Sequence, residues 1–300
     1  MPVVNASPHI APPVHVELEP RFCARYVVDL TAGCTLGCIY CPFSERGARS
    51  AGVSTPTALD LAPLARIQPP KRVFLSPASD AFAPQAARQT HRLLATWLPR
   101  GTIVAIVTKG RVPLDTLDLL AEYRHQVEGV GIGLSATNDL RNNLLEPGCP
   151  PARERLANID QLAQRGIPVS LRMDPLFPDL DDDPAILNPL VAEAATRGAT
   201  ALTATYVFSW GRHRRRLQRE PLLAAASKVL TERTPMEGGV AFGVPLTYKL
   251  AAYSRFAETA RSLGIHFNTC GCKDVRLRES GLFETSCRNA HFEDHGAPAR

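Results

Sequence analysis

Three hundred residues could hold two domains, although α/β barrels of this length commonly form one. With 45% hydrophobic residues the chain can bury a substantial core, and no run approaches the ~18 uninterrupted apolar residues of a membrane span, so no transmembrane helix is expected. The net charge of +5 is compatible with an anionic substrate and does not demand one.

The opening Met1-Pro-Val-Val-Asn-Ala-Ser-Pro-His-Ile10 lacks a basic start followed by an apolar stretch, so it does not read as a signal peptide. A cytoplasmic location is expected. There, eight cysteines point to metal or catalysis before disulfides. Residues 1–20 hold five prolines and read as an extended arm wrapped on the surface. Arg21–Leu30 reads as the first strand, followed by a cysteine-rich loop and a polar, Gly/Ser-rich loop over 44–56. Arg72–Ser76 is the second strand, residues 84–98 a helix, and Thr102–Thr108 a near-continuous apolar strand of the kind buried on both faces. A helix over Leu114–Tyr123 precedes a strand over Val127–Ser135. A helix over Arg153–Arg165, closed by Gly166, precedes a strand over Ile167–Met173. A helix over Pro184–Arg197, closed by Gly198, precedes a sixth strand over Ala201–Phe208.

Strands alternating with helices predict βα units, a parallel sheet and right-handed connections. Polar or special residues follow each strand: the cysteines after the first, then Ser79/Asp80, Lys109, Ser135/Thr137 and Arg172/Asp174. Strand ends and βα loops build the active site of βα barrels, so one shared site is expected there. Residues 209–300 differ. Trp210–Arg216 is a basic run that reads as a solvated face or an anion contact, Leu222–Leu230 and Tyr248–Leu263 read as helices, and Ile265-His-Phe267 as a short strand.

The chemistry centres on Cys34-Thr-Leu-Gly-Cys38-Ile-Tyr-Cys41, three cysteines spaced C-x3-C-x2-C. Thiolates are soft ligands suited to iron–sulfur clusters, zinc or copper(I). A [4Fe–4S] cubane takes one ligand per iron, so three cysteines leave one iron for a ligand that is not protein. Cys23, Cys34, Cys38 and Cys41 could instead close a structural zinc site, and disulfides are a third option. Cys23 reads better as a buried strand cysteine.

This spacing, with Tyr40 before the last cysteine, resembles the signature of radical S-adenosylmethionine (SAM) enzymes, and residues 25–208 are most similar to the spore photoproduct lyase-like branch of that superfamily. The stretches Ser76-Pro-Ala-Ser-Asp-Ala-Phe-Ala-Pro84, Thr108-Lys109-Gly110, Leu145-Glu146-Pro147 with Arg155-Leu156, and Asp174-Pro-Leu-Phe-Pro178 match that branch's motifs in order, and Ser135 stands where the branch has a serine. The resemblance implies an α/β fold, a partial (β/α)6 TIM-like barrel over 21–208 with an arm over 1–20 and a cysteine-containing extension over 209–300. It implies a [4Fe–4S] cluster on Cys34, Cys38 and Cys41, with SAM on its open iron, and a flavodoxin- or ferredoxin-like electron donor. Reductive cleavage of SAM would yield a 5′-deoxyadenosyl radical. By the same resemblance Tyr40 lies by the cofactor, Lys109 meets the SAM carboxylate, and Ser135 meets the ribose or carboxylate. Ser79 and Asp80 lie near the adenosyl group, and Arg172 is a further carboxylate partner. The branch's lyase returns a hydrogen atom through a cysteine beside the second-strand motif, where this chain has Ala78, so thymine-dimer repair by that route is not implied.

Cys270, Cys272 and Cys287 raise three possibilities: a second cluster or metal with Cys149 as a fourth ligand, a hydrogen-atom donor in place of the missing cysteine, or packed thiols. The substrate is open between a nucleotide or nucleic acid, a small metabolite and a peptide, and the alternative to an enzyme is a cluster- or zinc-containing binding or sensor protein.

Overall fold

A computed structural model describes residues 15–16, 26–31, 33–42, 72–76 and 78–285. Cys23 and Cys287 lie outside the described residues, as do most of the N-terminal arm and the loop over 44–56. No helix among the described residues is long and apolar enough to cross a membrane.

One large sheet carries the chain. It comprises β1 (His15–Val16), β2 (Tyr26–Asp29), β3 (Arg72–Leu75), β4 (Ile103–Thr108), β5 (Val127–Gly133), β6 (Val169–Leu176), β7 (Ala201–Tyr206) and β11 (His266–Asn268), in that spatial order. β1 pairs antiparallel to β2, and every other pairing is parallel, giving seven parallel strands. The expected six strands are all present. The seventh, β11, comes from the C-terminal extension and docks on β7. Among the described residues the sheet keeps two edges, β1 and β11, so the barrel is open.

Helices cover the sheet: α1 (Ala87–Trp97), α2 (Leu114–Glu122), α3 (Asp139–Leu145), α4 (Ala152–Gln164) and α5 (Pro184–Thr196). Local chemistry sets their ends. Asn138 accepts from the Arg141 N–H at the start of α3, and Asp183 accepts from Ala185 N–H ahead of Pro184 at the start of α5. Gly166 and Gly198 take positive φ where α4 and α5 stop, as the sequence leads one to expect. β4 and β7 are almost wholly buried, which is why β4 reads as a near-continuous apolar run rather than an alternating one.

The last third builds β8 (Phe208–Ser209), α6 (Gly211–Arg219), α7 (Ala224–Lys228), the hairpin β9 (Glu232–Met236) and β10 (Gly239–Gly243), α8 (Leu246–Ser262) and α9 (Val275–Ser280). β8, β10 and β9 form a separate antiparallel sheet. The basic run reads as surface in sequence, yet it is a helix with His213 and Leu217 buried. α8 fastens the extension to the barrel through aromatics: Tyr253 packs on Tyr206 of β7, and Phe256 meets Phe267 of β11. Because β11 shares the sheet with β7, Phe256→Ala is expected to destabilise the whole fold by about 3–5 kcal/mol. The expected observation is a lower urea midpoint in one transition, without a separate early unfolding step.

Candidate active site

The site lies at the C-terminal ends of the parallel strands, beginning with the cysteine loop after β2. Cys34, Cys38 and Cys41 are partly buried. Backbone hydrogen bonds pin this loop to the α3–α4 connection: Ile39 N–H donates to Leu145 O at 2.9 Å, and Gly148 N–H to Leu36 O at 2.9 Å. The approach requires glycine at 148, where a Cβ would lie 2.7 Å from Thr35 O and 2.8 Å from Leu36 Cα. From the other side α6 holds the loop. His213 Nε2–H donates to Tyr40 O at 2.7 Å, and the Arg216 guanidinium donates to Cys41 O.

Beneath the loop sits a buried charge network. Tyr40 O–H donates to one Glu146 carboxylate oxygen and Arg155 to the other, while Lys109 Nζ lies 3.6 Å from Glu146 and 5.6 Å from the centre of the Tyr40 ring. Arg155 also donates to Pro150 O at 2.8 Å and Gly133 O at 3.1 Å, so a fully buried guanidinium is well partnered. Burial alone would raise Glu146, but Lys109 and Arg155 outweigh it and hold the carboxyl below its usual range. The same carboxylate keeps Lys109 charged against the cost of its burial. Gly133 makes room for the lysine stem, since a Cβ there would sit 2.7 Å from Lys109 Cγ.

The other strand ends are knitted to one another. Asp29, ending β2, accepts from the N–H groups of Ala78 and Ser79 and from the Ser79 hydroxyl, at 2.9–3.1 Å. Asp80 is buried and accepts from Thr108 Oγ1, Lys109 N–H and Phe82 N–H at 2.7–2.9 Å; burial raises its pKa despite these donors. Ser135 donates to Pro175 O at 3.1 Å. Arg172 grips Asp174 with Nε and Nη2 at 3.1 and 2.8 Å, and Lys273 of the extension meets both oxygens of the same carboxylate at 2.6 Å. Lys109 Nζ donates to Asp174 O at 3.2 Å.

The structure therefore brings Cys34, Cys38, Cys41, Tyr40 and Lys109 into one neighbourhood. Ser79, Asp80, Ser135 and Arg172 occupy adjoining strand ends with protein partners already in hand. Cys270 and Cys272 follow β11, at the sheet edge opposite β1. Cys149, raised as a fourth ligand in one of the three readings of the C-terminal cysteines, packs against the cysteine loop, with its sulfur 4.0 Å from that of Cys38. Sequence reasoning quoted Glu146 and Arg155 only as parts of a motif and missed His213 and Arg216. Their signal, a lone buried acid before a proline and a histidine inside an arginine run, has no fixed spacing from the cysteines.

The donor set fits an iron–sulfur cluster. Three thiols share one loop in no disulfide. Burial, with Asp80 nearby, pushes the Cys34 thiol up to about 12, so iron would have to displace its proton. Among the described residues no three His, Cys, Asp or Glu side chains converge closely enough to hold one metal ion.

Removing the central carboxylate leaves two cations buried without their counter-charge. Glu146→Ala is expected to cost about 3–5 kcal/mol in denaturant melts. Because the folded pKa of Glu146 is depressed, its contribution is present at neutral pH, begins to fade below about 4.3 and is gone below the folded value. Glu146→Gln should flatten that part of the stability–pH curve.

A family model described as the radical SAM superfamily matches residues 28–188, more than half of the chain. Spore photoproduct lyase complexed with dinucleoside spore photoproduct is similar in structure, with TM-score 0.61 and 18% identity over 84% of this chain and 78% of that one. A variant of the same lyase with bound AdoMet and dinucleoside spore photoproduct gives TM-score 0.59 and 17% identity over 81% and 75%. Among curated proteins, the uncharacterized protein ORF301 of Acidianus two-tailed virus is 29% identical over 108 residues, 36% of each chain. The uncharacterized protein Rv2578c of Mycobacterium tuberculosis is 32% identical over 104 residues, 34% of this chain and 31% of its own. The matched segment spans only about a third of these curated relatives. With a three-thiol loop at the head of an open parallel α/β sheet and the family match running from β2 into α5, the chain belongs to the radical SAM superfamily.

Proposed function

We propose that this enzyme of the radical SAM class takes its cluster on Cys34, Cys38 and Cys41 and binds SAM beside Lys109, and that it removes a hydrogen atom from a substrate enclosed between the strand ends and the extension. When bound, the cluster and SAM supply reductive cleavage to a 5′-deoxyadenosyl radical. The observation that carries this reading is the three-thiol loop next to the buried Lys109 ammonium, within the matched family region.

The chain's own groups have defined tasks in it. Lys109 has three donors; Asp174 O takes one at 3.2 Å and Glu146 lies at 3.6 Å, so the ammonium keeps capacity for a further acceptor such as a carboxylate. Tyr40, edge-on to Phe177, buries the floor of the loop. Ser79 and Asp80 shape the β3 turn through Asp29, Thr108 and Lys109, and this turn is the proposed support for the adenosyl group. Arg172, held by Asp174, acts on SAM in this reading only if it exchanges part of that pair for the carboxylate. Ser135 keeps its acceptor lone pairs for a ribose hydroxyl. The extension closes the site through His213, Arg216 and Lys273, which helps keep water away from reactive intermediates.

For the substrate, α6 favours nucleic acid over a metabolite or peptide. Arg212, Arg215 and Arg219 are exposed and share one helical face, while the buried His213 on another face grips the cysteine loop. Trp210, at the start of α6, is 39% exposed and stacked on Phe208. Arginines that track phosphates beside an aromatic that can stack on bases form a common platform for single strands. The solved lyase complexes hold a dinucleoside photoproduct, which agrees with this reading but concerns that protein.

Three measurements test the proposal. Anaerobically reconstituted, reduced protein given SAM should release 5′-deoxyadenosine, and Cys34→Ala should release none; a sensor or zinc protein would release none in either form. Iron analysis of the same sample should give about four irons per chain, whereas about eight would add a second cluster, for which Cys270 and Cys272 offer thiols. A fluorescent single-stranded oligonucleotide should bind at low salt with affinity falling steeply as salt rises, and Arg212→Glu with Arg215→Glu should weaken it at least ten-fold. No binding at low salt would shift the substrate to a metabolite or peptide.

A further inference from the structure

Cys149 lies outside the C-x3-C-x2-C loop, 111 residues from Cys38 in sequence, yet the two sulfurs are 4.0 Å apart. The contact is built in. Cys149 N–H donates to Glu146 O at 2.9 Å, and the preceding Gly148 N–H binds Leu36 O in the cysteine loop. Cys149 is buried with Leu36 and Ala83 in a small apolar cluster against which Cys34 and Cys38 pack. No room is left for a larger residue at 148, so the position of the thiol follows from the backbone that carries it.

The distance selects among the roles open to such a thiol. It is about twice a disulfide bond length, so the sulfurs are not joined. A fourth thiolate on the cluster would have to reach a different iron, and would fill the place that radical SAM chemistry needs open. The Cys149 sulfur instead faces the Cys38 sulfur itself, at the distance of a hydrogen bond between sulfurs. A thiol is a weak donor, but a ligating thiolate is a charged acceptor and the contact is largely shielded from water, which strengthens the interaction.

We infer that Cys149 is a positioning residue for the cluster: its S–H donates to the Cys38 sulfur and raises the cluster's reduction potential. This rests on the cluster reading given above. A reduced cluster carries one more negative charge than an oxidised one. A donor aimed at a ligating sulfur stabilises the reduced form more, and hydrogen bonds to the sulfurs are among the features that set these potentials. The consequence is easier entry of the electron that starts the reaction.

The test is a potentiometric titration, followed by electron paramagnetic resonance, of reconstituted wild type, Cys149→Ala, Cys149→Val and Cys149→Ser without SAM. Valine is apolar and close to cysteine in volume, which guards against a cavity that prevents alanine from folding. The expected result is wild-type iron content in all four, a midpoint shifted to more negative potential for alanine and valine, and a return toward wild type for serine, which keeps a donor. An unchanged midpoint in the donor-less variants with intact clusters would overturn the inference. So would loss of iron in alanine and valine variants that fold, because Cys149 would then be a ligand. Failure of wild type itself to take up iron would instead strike the cluster reading, and is told apart by the iron analysis of wild type alone.

Discussion

The arrangement depends on one buried carboxylate. Glu146 is shared by the Tyr40 hydroxyl, the Arg155 guanidinium and the Lys109 ammonium, and these four come from the cysteine loop, the α3–α4 connection, α4 and the end of β4. Burying an isolated charge in such a place would be prohibitive, so each member is tolerable only with the others in position. Two cations surround one anion, and the neighbourhood keeps a surplus of positive charge. That surplus lies next to thiols which, as ligands, become thiolates, and next to the proposed place of a carboxylate. The network thus fixes the loop and prepares the field in which it works.

The extension is tied to the same centre at two places. α6 binds carbonyl groups within the cysteine loop, and Lys273 shares Asp174 with Arg172 at the end of β6. A second buried pair, Lys249 with Asp274, joins α8 to the start of α9, where Arg276 connects Asp274 to Glu232 of β9. Burial lowers the Lys249 pKa despite the attraction of Asp274. Since β11 also extends the main sheet, the extension is packed onto the strand ends and the cysteine loop rather than being a remote appendage.

What could be read from the sequence follows from the range of each cause. β4 was legible because a strand buried on both faces is apolar throughout, and the ends of α4 and α5 because glycine allows the positive φ there. The three cysteines were legible because their ligand spacing is local. α6 was not, because a helix gripping a loop through His213 and Arg216 has the composition of a solvated basic segment, and the contacts that distinguish the two span more than 170 residues. The hairpin β9–β10 was missed for a related reason: Glu232-Arg-Thr-Pro-Met236 contains a proline and two charges, a pattern tolerated on the short outer strand of a three-stranded sheet. Cys149 was visible as a residue, but its neighbour was not, since nothing local to residue 149 names residue 38.

The strand-end polar residues teach a different lesson. Ser79, Asp80 and Ser135 follow their strands as the sequence leads one to expect, whereas Arg172 lies within β6, which runs on to Leu176; position could not say how their donors and acceptors are spent. Asp80 receives three donors from the protein, and Ser79 and Arg172 each face an aspartate. Such side chains hold a scaffold rigid, and rigidity is what a site handling a reactive radical requires, because a loosely held substrate offers more than one hydrogen atom. Lys109 differs from them in keeping donor capacity while its charge is secured by Glu146. In the proposed reading that spare capacity is what meets the carboxylate of SAM, while the neighbouring strand-end residues hold the walls that decide where the ligand lies.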